Sequence, residues 1–342
     1  MEKSFRMELA GRPLIVETGK MAKQASGAVL VRYGETVVLV TSTASKEARE
    51  GMDFFPLTVD YEEKMYAVGK MPGGFLRREG RPGNSAILNA RLIDRPIRPL
   101  FDKRCRNDIH VMATVLSVDY DNAPELCGML GASASLGISD ISWDGPIAGV
   151  RVGRIDGQFV INPTQEQLKV STLNITVAGS ETAILMVEGG AQEAPEEDVL
   201  DAIMFGHETI KELVAFQKKI IEEVGKPKRT LIFPEIPEEI KTAIYAYAER
   251  PLKEAIFNPD KLTREAHMEE VRKEAEAHFK EIYPENGSDI AECLNHLTKE
   301  IVRHMISVDK IRPDGRALDE IRPISCEVGL LPRVHGSALF TR

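Results

Sequence analysis

The sequence has no apolar run approaching the roughly 18 residues that a membrane span needs. Its opening residues, Met1-Glu2-Lys3-Ser4-Phe5-Arg6, lack the apolar segment of a signal peptide. Both absences lead us to expect a soluble, cytoplasmic chain with no membrane partner. Paired cysteines are missing too. Cys105, Cys127, Cys293 and Cys326 are scattered without a C-x-x-C, which suits neither a zinc site nor a disulfide framework and fits a reducing compartment. Excess positive charge is also absent: 44 Lys and Arg stand against 53 Asp and Glu, a net −9. Any affinity for nucleic acid must therefore come from a local patch. The seven histidines form no H-E-x-x-H or similar pair, and His267 and His278 fall on charged helical faces, so no metal site is expected. Gly189-Gly190 reads as a strand-end turn, with no phosphate-loop or dinucleotide pattern nearby.

What is present, at 342 residues, suits two or three domains. The first third is β-rich. Pro13 to Glu17, Gly27 to Tyr33, Glu35 to Ser42 and Phe54 to Tyr61 are short runs heavy in Val, Leu and Thr. A helix is predicted from Asn84 or Ser85, both good caps, until Pro96 stops it. Ile109 to Val118 reads as a strand and Pro124 to Leu136 as a helix. Further strands follow at 147–153, 157–161, 173–178 and 183–188, then a long amphipathic helix from Glu196 to Val224. Lys226 to Pro237, with its prolines and basic clusters, reads as a linker over 226–237. Beyond it Ile240, Ile244 and Tyr247, and later Ile290, Leu294, Leu297 and Ile301, recur at helical spacing, with Ser288 capping the last helix. We expect an all-helical domain over 238–309.

From Lys310 the composition turns β-like again. Glu17 to Arg32 set against Glu327 to Arg342, at a constant offset of 310, aligns Glu with Glu, Gly with Gly, Ala with Ala and Arg with Arg. Lys23 faces Arg333 and Val29 faces Leu339 in the same alignment. Gly11-Arg12 is echoed by Gly315-Arg316. We read this as a duplicated domain, of which 310–342 is the opening.

The segment with the most chemistry is MPGGFLRREGRPGNSAILNARLIDRPIRPLF, Met71 to Phe101. Between Arg77 and Arg106 it carries basic residues at 77, 78, 81, 91, 95, 98, 103, 104 and 106 against acids at 79, 94 and 102. Arginine predominates, as planar bidentate contact to phosphate would favour. Gly73-Gly74 beside Phe75, with Arg77 and Arg78 following, is an aromatic-cation loop tip of the kind that holds single-stranded nucleic acid by stacking and charge. The plain alternative is a solvated basic loop. In the second cluster, Arg91 is expected in the last helical turn, with Arg95 and Arg98 in the Pro-rich exit. Pairing through Asp94 would account for one of these three arginines, not all of them.

These two segments closely resemble the aperture loop and the Arg-rich helix exit of polynucleotide phosphorylases. The strings IRPDGRALDEIRPI and LLPRVHGSALFTR extend the resemblance across the whole chain. It implies an α+β fold: an RNase PH-like core over 1–225, a helical domain, and the start of a second RNase PH-like core, truncated at Arg342. It implies RNA-binding residues Phe75, Leu76, Arg77, Arg78, Arg81, Arg91, Arg95 and Arg98. Leu76 departs from the family, which commonly has a second Phe there. Such enzymes are implied to be homotrimeric rings that degrade single-stranded RNA from the 3′ end. They use inorganic phosphate as co-substrate and Mg2+, release nucleoside diphosphates, and associate with other RNA-degradation proteins.

By the same resemblance the phosphate pocket belongs to the second core, as a Gly-Ser-Ser run opening a helix that ends in Gly-Ala-Ser. Here the matching helix ends at Gly131-Ala132-Ser133 and opens with Asn122-Ala123-Pro124-Glu125, which lacks hydroxyls and adds a negative charge; Asn122 reads as a helix cap. The family's catalytic Asp falls at Asn174, before Val177-Ala178-Gly179. We therefore expect no catalytic or metal-binding residue in this chain, and neither phosphate nor Mg2+ bound by this half. Arg333 and His335 belong to the second core's opening and receive no role. Two rival readings are a non-catalytic RNA-binding or assembly subunit and a stand-alone tRNA-trimming relative of RNase PH. The helical insert argues against the latter.

Overall fold

The computed structural model describes residues 2–48, 54–230 and 236–342, and the chain divides into two compact units, 1–233 and 234–342. In the first unit, β1 (Lys3–Leu9), β2 (Arg12–Thr18), β3 (Gly27–Tyr33), β4 (Thr36–Ala48), β5 (Leu57–Glu63) and β6 (Asn107–Ser117) form one sheet. Its order is β1-β2-β3-β4-β6-β5, antiparallel except for the β5–β6 pair. Period-two alternation explains the sheet's two faces: Leu14, Val16, Val29, Val31, Val38 and Val40 are buried while their neighbours are less so.

The buried face packs on α2 (Pro124–Ile138), in which every residue from Leu126 to Ile138 is buried. A helix apolar on all sides belongs at the centre of a domain, and its small residues permit close approach. A Cβ on Gly131 would meet Val40 at 2.4 Å. Beyond α2 lies a second sheet of order β10-β9-β7-β8, from β7 (Ala148–Ile155), β8 (Gln158–Ile161), β9 (Leu173–Gly179) and β10 (Ile184–Ala191). The long α4 (Glu196–Val224) covers it, its Gly206 against Val150 and Val152. The short α3 (Gln165–Val170) carries a Thr164/Gln167 capping box.

The second unit has α5 (Glu238–Ile256), α6 (Lys261–Ile282) and α7 (Gly287–Ser307) around a core that includes Ile244, Leu252, Phe279, Leu294 and Leu297. It also holds a hairpin of β11 (Ser325–Val328) and β12 (Ala338–Thr341). Shifted by 310, these strands fall inside β2 and β3, which pair in the same antiparallel sense. Gly19 and Gly329 both leave the first strand in left-handed backbone, at φ 85° and 71°. The register differs by one residue, because Glu17 faces Leu30 whereas Glu327 faces Leu339.

Several expected boundaries move. β1 was not anticipated, and its half-exposed alternation at a sheet edge gives a weak signal. The helix α1 (Asn84–Ile97) is capped by Gly83, not by Asn84 or Ser85, and no side chain closes its end. Pro96 lies inside α1 and does not stop it. The ladder resumes when the Arg98 N–H donates to the Asp94 carbonyl, and a 3₁₀ turn over Arg98–Leu100 follows. Likewise Asn286, not Ser288, precedes α7.

Of the expected linker, 231–235 lie outside the described residues. Its first part is not free chain. The Lys226 and Arg229 amides donate to the carbonyls of Ile138 and Asp140. Lys228 Nζ donates to the carbonyls of Leu136, Gly137 and Ser139 at 2.7, 2.9 and 2.9 Å, closing the C-terminus of α2. Arg229 pairs with Asp140 at 2.6 Å. The first part of a segment expected to be a linker is a strap on the central helix.

Candidate nucleic-acid interface

β5 delivers the chain to a 3₁₀ turn, Met65–Val68, which is fixed at the end of the sheet. Ala67 is buried, and its carbonyl accepts from the Val118 amide at 3.1 Å. The segment 71–83 then leaves the body of the unit and returns at α1. Phe75 is fully exposed, and Leu76, at 75%, nearly so. Arg77 has left-handed backbone at φ 45°, and its amide donates to the Gly74 carbonyl at 2.9 Å, tightening the tip. Glu79 fastens the base by accepting from the Met65 amide at 2.9 Å. Between tip and turn lies a cavity of about 320 Å³ whose lining includes Arg78, Arg81 and Lys64.

Among the described residues, Arg77, Arg78 and Arg81 make no ion pair or side-chain hydrogen bond within the chain. An exposed aromatic beside unpaired guanidiniums has no structural task of its own, and phosphate with a stacked base would satisfy both.

The second cluster divides. Arg98 is a strut: it chelates Asp94 at 2.9 and 2.7 Å, donates to the Leu57 carbonyl at 3.0 Å and lies over the Phe55 ring. Arg95 pairs with Glu188 on β10. Arg91 lies within α1 rather than in its last turn, exposed and, among the described residues, unpaired, beside a groove of about 340 Å³ between α1 and β5. Asp94 thus accounts for one of the three arginines, as expected, and Glu188 holds a second.

The end of α2 that would open toward an anion is occupied from within. Glu125 stands in its first turn and pairs with Arg151 at 2.6 Å, both side chains under 20% exposed. Asn122 is not the cap, a place taken by Ala123. It is 3% exposed, accepts from Arg12 at 2.9 Å and donates to Asp119 at 2.6 Å. Burial alone would raise the Asp119 carboxyl. The amides of Asp121 and Glu35, Asn122 and the Arg12 charge together hold it below its ordinary value.

Asn174 is exposed on β9, opposite Gly190. Among the described residues, no group of three or more His, Cys, Asp or Glu side chains converges as a metal would require. These residues do not fit a magnesium ion. His278 stacks on Tyr247 at 4.7 Å, a packing role that sequence pattern did not reveal. No helix is long and apolar enough to cross a membrane among the described residues.

Residues 10–142 match the 3′ exoribonuclease family, domain 1, and residues 145–209 its domain 2. The first unit is thus of the RNase PH class. Residues 239–317 match the family described as polyribonucleotide nucleotidyltransferase, RNA binding domain. Polyribonucleotide nucleotidyltransferases are similar along 99% of this chain. That of Heliobacterium modesticaldum is 59% identical over 338 residues, and that of Syntrophomonas wolfei 58% over 340. That of Geobacillus kaustophilus is 56% identical over 340 residues.

The chain belongs to the 3′ exoribonuclease family, whose two domains together match more than half of it, and it is similar over nearly its whole length to polyribonucleotide nucleotidyltransferases. It spans about half the length of the curated relatives it matches, 48% of the first two and 47% of the third. Among solved structures, rice (Oryza sativa) Rrp46 superposes with a TM-score of 0.49 at 14% identity, covering 65% of this chain and 94% of that one. That likeness is too distant to bear on function.

Proposed function

We propose that this chain is the RNA-guiding and ring-building half of a phosphorolytic 3′→5′ exoribonuclease. The enzyme would shorten single-stranded RNA in the cytoplasm with inorganic phosphate and release nucleoside diphosphates. The observation carrying this reading is the loop tip, where Phe75 is fully exposed beside Arg77 and Arg78, both unpaired among the described residues. In the same proposal Leu76, Arg81 and Arg91 add contacts, while Arg95 and Arg98 shape the approach from within their ion pairs. The family relationship supports a homotrimeric parent enzyme and association with other RNA-degradation proteins. Phosphate and magnesium chemistry falls to residues outside this set, because Glu125 fills the anion position and Asn174 supplies no carboxylate. The same two features favour a second reading, in which the chain acts as a non-catalytic RNA-binding or assembly subunit.

The loop reads no base edges, so its contribution should be electrostatic and nearly indifferent to sequence. Replacing Arg77 and Arg78 by Ala removes about two phosphate contacts. The slope of log affinity against log salt should flatten by roughly 1.4 units on the single-strand scaling. Phe75→Ala should cost about 1–3 kcal/mol with the slope unchanged. Binding of oligoadenylate measured across a salt series tests both. Unchanged affinity of the double variant at every salt concentration would remove the loop from the interface.

A further inference from the structure

The stretch before the loop tip carries an exposed apolar series that the loop's own contacts leave unexplained. Tyr66 is 57% exposed, and Met65, Val68 and Met71 are exposed with it. None of them belongs to the first unit's core. Exposed apolar side chains grouped so closely mark a contact surface. Charge indicates its partner. From Lys64 to Arg81 the chain has Lys64, Lys70, Arg77, Arg78 and Arg81 against a single acid, Glu79. Of these cations only Lys64 is engaged, with Glu62, among the described residues. Aromatic faces interleaved with free cations match single-stranded nucleic acid, which offers a base and a phosphate at each step. A protein partner recognised by apolar burial would gain nothing from that surplus of positive charge.

We propose that Tyr66 is a second base-stacking platform, so that RNA is held from the 3₁₀ turn to the loop tip and not at the tip alone. This rests on the reading of the loop as an RNA interface. Two anchors support it. Ala67, next in sequence, is buried and bonded through its carbonyl to Val118, so Tyr66 projects from a fixed base. Glu79 ties the returning loop to the Met65 amide, the residue beside Tyr66 on its other side, so tip and turn form one structure. A pre-positioned ring loses less conformational entropy on binding than a ring at a free tip. The tyrosine hydroxyl has no partner within the chain among the described residues, so the ring face is what the structure offers. Leu76, which cannot stack as an aromatic does, leaves room for a second platform of this kind.

The test uses the full 342-residue chain and a short oligoadenylate, with affinity measured across a salt series. Tyr66→Ala should weaken binding roughly 5- to 150-fold, the range of one lost base stack. Tyr66→Phe should bind like the parent, and the salt slope should not move. Photocrosslinking of 5-iodouridine-substituted RNA to the unmodified chain gives a readout independent of any variant's folding, and a Tyr66 adduct is expected. If Phe75→Ala weakens binding while Tyr66→Ala does not, and no Tyr66 adduct forms, the second platform is wrong and the loop reading stands. Equal losses in Tyr66→Ala and Tyr66→Phe would replace stacking with a hydroxyl contact and overturn the proposal. No effect from Tyr66, Phe75 or the Arg77/Arg78 pair would remove the whole interface.

Discussion

Arg91 and Arg98 bear the same charge at the same end of the first unit, and their surroundings separate them. Arg98 is bound to Asp94, to the Leu57 carbonyl and to a phenyl face, whereas Arg91 lines an open groove and has no partner among the described residues. Substitution should therefore separate folding from binding. Arg98→Ala should lower unfolding free energy by about 1 kcal/mol, a figure reduced for its partial exposure. It should leave the salt slope of RNA binding almost untouched. Arg91→Ala should hardly change stability and should flatten the slope by about 0.7 units if one phosphate is met there. Urea titration alongside a salt series distinguishes the two, and a reversed pattern would show that the pairing has been misjudged. Sequence alone could place both residues in a basic segment. It could not say which guanidinium would find a carboxylate, because Glu188 reaches Arg95 across 93 residues.

At the scale of elements, the strap over Lys226–Arg229 illustrates how a motif changes meaning when the chain folds back. Three carbonyls at the C-terminus of α2 receive the Lys228 ammonium, which also answers the negative end of the helix dipole. Burial brings the Lys228 amine down to about 8 despite the Asp140 charge, which acts to raise it. A folded value below the unfolded one means that folding disfavours the charged form. The penalty is full below about pH 8 and fades as pH rises toward the ordinary lysine value of 10.5.

The nearby Asp140 has the opposite sign. Burial would raise its carboxyl, but Arg229 holds it below 3.8, so its contribution is present above that value and is lost as pH falls through the folded one. Lys228→Met should destabilise the chain by roughly 1–2 kcal/mol near neutrality, discounted because the site is half-exposed. The gap between parent and variant should widen between about pH 8 and 10. Denaturant unfolding at several pH values checks this, and a constant gap would contradict the lowered amine. Helix α2 itself was readable from its Ala-, Leu- and Gly-rich composition. Its strap was not, because the 226–229 and 136–140 segments meet only once α4 has brought the chain back.

For the whole molecule, catalysis is the property at issue. Incubated with poly(A), phosphate and magnesium, the purified chain should release no ADP. The Glu125–Arg151 pair fills the place an anion would take, and no carboxylate stands at Asn174. Sustained release that persists through further purification would overturn that expectation.

Much of the architecture follows from local pattern. Alternation in β2, β3 and β4 and the helical spacing of Ile240 and Ile244, and of Ile290, Leu294 and Leu297, are properties of neighbouring residues, and the repeat at offset 310 is a property of residue order alone, so all are visible before folding. So is the exposed aromatic-cation loop, because Gly73-Gly74 and an uncompensated run of cations leave it little to pack against. The caps of α1 and α7, the continuation of α1 past Pro96, and the partners of Asn122, Arg95 and Lys228 are different in kind. Each depends on which groups from distant segments come within hydrogen-bonding distance. That is a question of three-dimensional proximity, and only the assembled sheets and helices around α2 decide it.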